Sequence, residues 1–161
     1  MALVAMVVMA SCGSAEHEYT AQEKILVSHI WKADLNADIK AGTDAMKEES
    51  GISADGFQLG GDVAKIGDFL SSKYQFGKGE NDPSMLVYAV TNGEGFFSAV
   101  SEAGLWKMSA DGKTLEMAVW DDEAGAYSDK WTKAEIIELT DTRLVWMKEG
   151  DATKSYFVPA E

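Results

Sequence analysis

The second half of the chain is punctuated like a folded sheet. Asn92-Gly93, Asp111-Gly112 and Glu149-Gly150-Asp151 interrupt short apolar runs, and Asn-Gly is the strongest short hairpin signal a sequence carries. Around these turns the expected strands are residues 74–76, 85–90, 96–100, 105–109, 114–120, 131–139, 144–148 and 153–158. A loop at 77–83, a polar loop at 121–130 and a turn at 140–142 separate the others. Many short strands at regular spacing predict a mainly all-β domain, an antiparallel sandwich or barrel. Closing the sheet would also remove its exposed edges.

The first half is less regular. Residues 21–30 fit a short helical turn. Over residues 31–40, Trp31, Ala33, Leu35, Ala37 and Ile39 alternate with polar neighbours, the period of a strand with one wet face. Trp31, Leu35 and Ile39 are also spaced by four, which keeps a helix open. The strand is preferred because Asp34 and Asp38 would lie on or beside the apolar stripe of such a helix. Residues 41–61 read as a long connection, with a helical turn over 44–49 that stops at Gly51. In 62–73, Val63, Ile66, Phe69 and Leu70 share one helical face and Asp62 is a candidate cap.

The only cysteine, Cys12, ends an apolar run from Ala2 to Ala10 followed by Ser11. The run is too short to cross a bilayer, which takes about 20 residues, but it suits the apolar region of an export signal. An apolar run, small residues and then Cys is the layout of a bacterial lipoprotein signal, in which the cysteine sulfur is acylated and becomes the mature N-terminus. No Lys or Arg precedes the run, and Met9 stands where such signals usually carry Leu. The expected organisation is a signal peptide at 1–11, a lipidated tether at 12–22 and one domain at 23–161. Gly13 carries no inner-membrane retention signal of the Asp type, so the expected address is the cell envelope, on the outer membrane.

Without signal and tether about 140 residues remain, the usual size of one domain and enough for a core without disulfide staples. Five Trp, five Tyr and six Phe supply large apolar surfaces for it. The net charge of −13 argues against nucleic acid, whose binding rests on Lys and Arg neutralising phosphates. It argues equally against an electrostatic grip on anionic lipid. Contact with a membrane would come through acyl chains on Cys12.

The order and spacing of several motifs resemble the lipocalin-like lipoproteins of Bacteroidetes. The pieces are Gly104-Leu105-Trp106-Lys107-Met108, then Asp111-Gly112-Lys113-Thr114-Leu115, then Ile136-Ile137-Glu138-Leu139-Thr140 with Leu144-Val145-Trp146. Near the start, Ile30-Trp31-Lys32 looks like the first-strand Trp that plugs the closed end of such barrels. The likeness covers residues 29–37 and 96–158. It implies an antiparallel up-and-down β-barrel of calycin type, with residues 41–73 as an insertion or lid. Where the family places Gly two residues before the first Trp, this chain has His29.

Catalytic signatures are sparse. A nucleophilic triad needs a base held beside its nucleophile, and the two histidines are His17 in the tether and His29, for which a structural role at the first strand is the better reading. Zinc needs a cluster of His or Cys ligands, and the sequence has none. Asp121, Asp122, Glu123 and Asp129 share a loop but lack the alternating pattern with a central Gly that calcium loops use. Gly60-Gly61-Asp62 is too little for a phosphate cradle. No enzyme activity, metal or cofactor is expected. What remains are aromatic and sulfur-bearing strand positions, Trp31, Trp106, Met108, Leu115, Met117 and Trp146, which alternate so that they could share one interior. A small barrel is either filled by such side chains or shaped around one ligand. The expectation is a non-catalytic protein holding a small apolar or amphipathic molecule. The other reading is an interaction module, an inhibitor or accessory subunit with a filled core.

Overall fold

The computed structural model describes residues 16–50, 72–93 and 98–160. Two helices, α1 (Ala21–Val27) and α2 (Leu35–Ser50), flank the first strand β1 (Ile30–Ala33). Then come β2 (Lys73–Lys78), β3 (Leu86–Asn92), β4 (Ala99–Met108) and β5 (Thr114–Asp121). The chain ends with β6 (Ala126–Tyr127), β7 (Thr132–Thr140), β8 (Arg143–Lys148) and β9 (Ser155–Pro159).

Every strand pairing is antiparallel. The order β1-β2-β3-β4-β5-β7-β8-β9 closes on itself, because β4 pairs with β5 and β9 pairs with β1. This is an eight-stranded up-and-down barrel, the all-β architecture expected above. On β3 the inward positions follow the period of two, with Leu86, Tyr88 and Val90 buried, whereas β8 buries Leu144, Val145 and Trp146 in succession.

One end is plugged. Thr20 and Glu23 form a capping box at the start of α1, satisfying two otherwise orphaned backbone donors. Glu23 Oε2 accepts from the Thr20 amide at 2.7 Å. The helix sets Leu26 against Trp31, both fully buried, and Trp31 Nε1 donates to the Leu26 carbonyl at 2.8 Å. His29, in the position where the resembling family has Gly, packs edge-on against Trp31 at 5.2 Å.

Five local expectations change. The strand predicted over residues 31–40 ends at Ala33, and α2 runs from Leu35 to Ser50, so the first part of the connection expected over 41–61 is continuous helix. Asp34 turns the chain by accepting the Ala37 amide at 3.1 Å, as helix-capping Asp residues do. Asp38 does not spoil an apolar stripe, because its Oδ1 accepts the Tyr156 amide at 3.1 Å and ties α2 to β9. The runs 96–100 and 105–109 belong, from Ala99 onward, to one long strand, β4, which carries a bulge opposite Val90/Thr91. The loop at 121–130 contains β6, a short flap paired to the end of β5. From Glu16 the tether segment is docked: Glu16 pairs with Lys78 at 2.7 Å and Tyr19 stacks on Trp106 at 6.4 Å. Cys12, the apolar leader and most of the helix expected over 62–73 lie outside the described residues.

Candidate functional site

Inside the barrel the side chains form layers from the plugged end to the mouth. The lowest layer holds Trp31, Leu26, Leu115 and Leu144, none with exposed surface. Leu139 and Met108 pack against it as partly buried neighbours. Trp106 is held beside this layer by its Nε1, which donates to the Gly77 carbonyl at 3.1 Å.

The middle layer is aromatic. Trp146 meets Phe157 at 4.6 Å and Tyr74 edge-to-face at 5.1 Å. Phe76 stands edge-on to Trp106 at 5.7 Å and stacks beside Tyr74 at 6.3 Å. Such offset and T-shaped pairs suit the ring quadrupoles. Tyr88 reaches this layer across Gly104, its register partner on β4. A Cβ at Gly104 would overlap the Ala118 carbonyl oxygen and lie 2.7 Å from Tyr88 Cε1. Only glycine lets β5 and the Tyr88 ring come this close.

Toward the mouth the lining turns polar. Tyr88 donates its hydroxyl to Glu102 Oε1 at 2.7 Å. Burial, and then the bond to Glu102, hold the phenol far above its ordinary range, so it stays a donor. On the β8 wall, the Lys148 ammonium lies 5.8 Å from the centre of the Tyr74 ring. β8 and β2 are separated by β9 and β1, so this contact runs across the interior. Trp146 Nε1, one step below Lys148 on the same face, is buried without a hydrogen-bond partner.

The six positions singled out from the sequence come together in this interior. Trp31, Trp106, Leu115, Met117 and Trp146 belong to one buried cluster, and Met108 packs against it. They divide by height: Trp31 and Leu115 sit in the plug, while Met117 lies opposite Trp106 in the β4–β5 pairing and Trp146 higher up. Tyr74, Phe76, Tyr88, Glu102, Lys148 and Phe157 were missed. The signal for them was the same alternation, Tyr74-x-Phe76 on β2 and Trp146-x-Lys148 on β8. Reading it required the strand phase, because apolarity alone passes over Glu102 and Lys148.

A cleft of about 550 Å³ is lined by Lys113, Lys133, Glu135, Met147 and Lys148 among others. Its mixed charges offer no single chemistry. No group of three or more His, Cys, Asp or Glu suited to a metal lies among the described residues. Nor is any helix among them long and apolar enough to cross a membrane. Comparison with protein-family models, curated proteins and solved structures matched none of them.

Proposed function

We propose that this protein is a lipid-anchored, lipocalin-like barrel of the cell envelope that holds a small apolar or amphipathic molecule without transforming it. The observation that carries this reading is the graded interior: a barrel plugged at one end by α1 and the β1 residue Trp31, aromatic at mid-height and polar at the mouth. Concave sites of this kind, apolar with a few placed polar groups, are the usual form of small-molecule pockets.

The docked N-terminal segment bears on how such an anchor would work. Glu16 is fixed at the plugged end by Lys78, and Cys12 stands four residues before it. Four residues reach about 14 Å at most. Acyl chains on Cys12 would therefore hold the plugged end near the bilayer and turn the mouth away from it. The outer membrane remains the better address for such an anchor.

A second reading, an interaction module with a filled core, is favoured by one observation. Trp31, Trp146, Leu115 and Leu144 have no exposed surface at all, so no water-sized void touches them. Native mass spectrometry of the purified full chain separates the two. A co-purified small molecule of defined mass is the result expected for a ligand carrier. A bare chain that also fails to take up added apolar molecules would leave the interaction module as the better account.

A further inference from the structure

The geometry points to Asn92 as a site of spontaneous covalent modification, at which the Gly93 backbone nitrogen attacks the Asn92 side chain with help from Ser72. The chemistry is independent of what the barrel holds.

Asn92 ends β3 at the mouth of the barrel and is exposed. The chain has three asparagines, Asn36, Asn81 and Asn92, and only Asn92 precedes a glycine. A following residue without Cβ leaves the approach of its nitrogen to the side-chain carbonyl uncrowded. That nitrogen is also uncommitted: among the described residues no backbone hydrogen bond uses the Gly93 amide. From the start of β2, Ser72 Oγ donates to Asn92 Oδ1 at 2.8 Å. Negative charge develops on this oxygen as the carbonyl is attacked, and a donor already in place stabilises it, as in an oxyanion hole.

The turn at Asp111-Gly112 has the same glycine geometry, with φ of 70° against 82° at Gly93. There, however, the Gly112 amide donates to the Ser109 carbonyl at 2.8 Å. The bond from Ser109 Oγ also holds the Asp111 carboxyl below its usual range, and an ionised carboxylate resists a nucleophile. At Asn36 the following amide is taken as well, since Ala37 donates to Asp34 Oδ1. Only at Asn92 do a neutral side-chain amide, an uncommitted glycine nitrogen and a donor to the carbonyl meet.

The reaction needs nothing but water. Base removes the Gly93 amide proton and the nitrogen bonds to Asn92 Cγ. The Cγ–Nδ2 bond then breaks, and Nδ2 takes a proton from solvent and leaves as ammonia. Water opens the resulting cyclic imide at either carbonyl. One opening leaves an aspartyl residue, and the other leads the main chain through the side chain as a longer, isoaspartyl linkage. Gly93 is buried, so proton removal waits on local opening of the turn, and conversion is slow and faster in base. Either product adds a negative charge to a net charge of −13. The isoaspartyl product also disrupts the pairing of Asn92 with Ala99 and loosens the β3–β4 hairpin at the mouth.

The test incubates the full chain carrying Cys12→Ser in mildly alkaline buffer, beside a short unfolded peptide of the same local sequence. Peptide mapping by mass spectrometry should find the acid at position 92, part of it isoaspartyl, with Asn36 and Asn81 still amides. Ser72→Ala should slow conversion about fivefold, the worth of one modest hydrogen bond, and Ser72→Thr should keep the native rate. Asn92→Gln should abolish the acidic species seen on isoelectric focusing. An amide retained at position 92 while the peptide converts would overturn the site. Equal rates in the native chain and in Ser72→Ala would overturn the part assigned to Ser72.

Discussion

At Gly104 a methyl group would overlap the Ala118 carbonyl oxygen and press on the Tyr88 ring. The neighbour that must give is backbone, in the pairing that closes the barrel, so relief is costly. Gly104→Ala should destabilise the fold by about 3 kcal/mol, as overpacking at its more severe does, read from the denaturant midpoint at constant slope. A wild-type midpoint would mean that β4 and β5 are not this close. Asp38 offers a second residue-scale test. Burial, opposed by its bond from the Tyr156 amide, raises the carboxyl above its ordinary range. The folded state then holds the proton at a pH where the unfolded state has lost it. By linkage, stability falls as pH rises through the unfolded and then the folded pKa. Asp38→Asn keeps an oxygen for the Tyr156 amide and removes this dependence, whereas Asp38→Ala removes the acceptor as well. The Asn variant should match or exceed the native chain at neutral pH and lack the share of the acid-range slope that Asp38 contributes, and the Ala variant should be less stable than both. Thermal unfolding across pH measures all three.

The elements differ in how openly the sequence announced them. The hairpins at Asn92-Gly93 and Asp111-Gly112 were legible because glycine at positive φ, 82° and 70° here, is a local requirement that neighbours cannot disguise. α1 was legible as a short helix, and Thr20 with Glu23 shows why it starts where it does. The start of α2 was misread because its first turn alternates polar and apolar residues like a strand. What decides the matter is Asp34 capping the helix and Asp38 bonding to β9, a partner 118 residues away. β4 was read as two pieces because Gly104 looks like a break when its cross-strand neighbours are unknown. Of the site, the aromatic positions were visible by alternation. The polar ones were not, since an inward Glu102 is indistinguishable from a solvated one until the barrel is closed. The plug makes its own prediction. Thr20→Ala should cost about 1 kcal/mol, the usual worth of a helix N-cap, and Trp31→Phe should cost more, because it leaves the buried Leu26 carbonyl without its donor. Equal small effects from both, in equilibrium unfolding, would mean that α1 is only loosely seated on the barrel.

For the whole molecule, anchoring and closure are separate matters. If Cys12 carries the acyl chains, Cys12→Ser should move the protein from the membrane fraction to the soluble one with its unfolding curve unchanged. Continued membrane association of that variant would refute the anchor and leave the barrel untouched. Closure is the deeper premise, since without it there is no inside for Trp106 and Trp146 to face. It depends on the β4–β5 pairing, in which Trp106 lies opposite Met117 and Leu105 opposite Ala118. Amide hydrogen exchange along β4 and β5, read at the alternate amides that point across this pairing, tests it most directly. Exchange as slow as that of β7 and β8 is the result the closed barrel predicts. Fast exchange confined to the amides of β4 and β5 that point at each other, with the rest of the sheet protected, would describe an open sheet and contradict it.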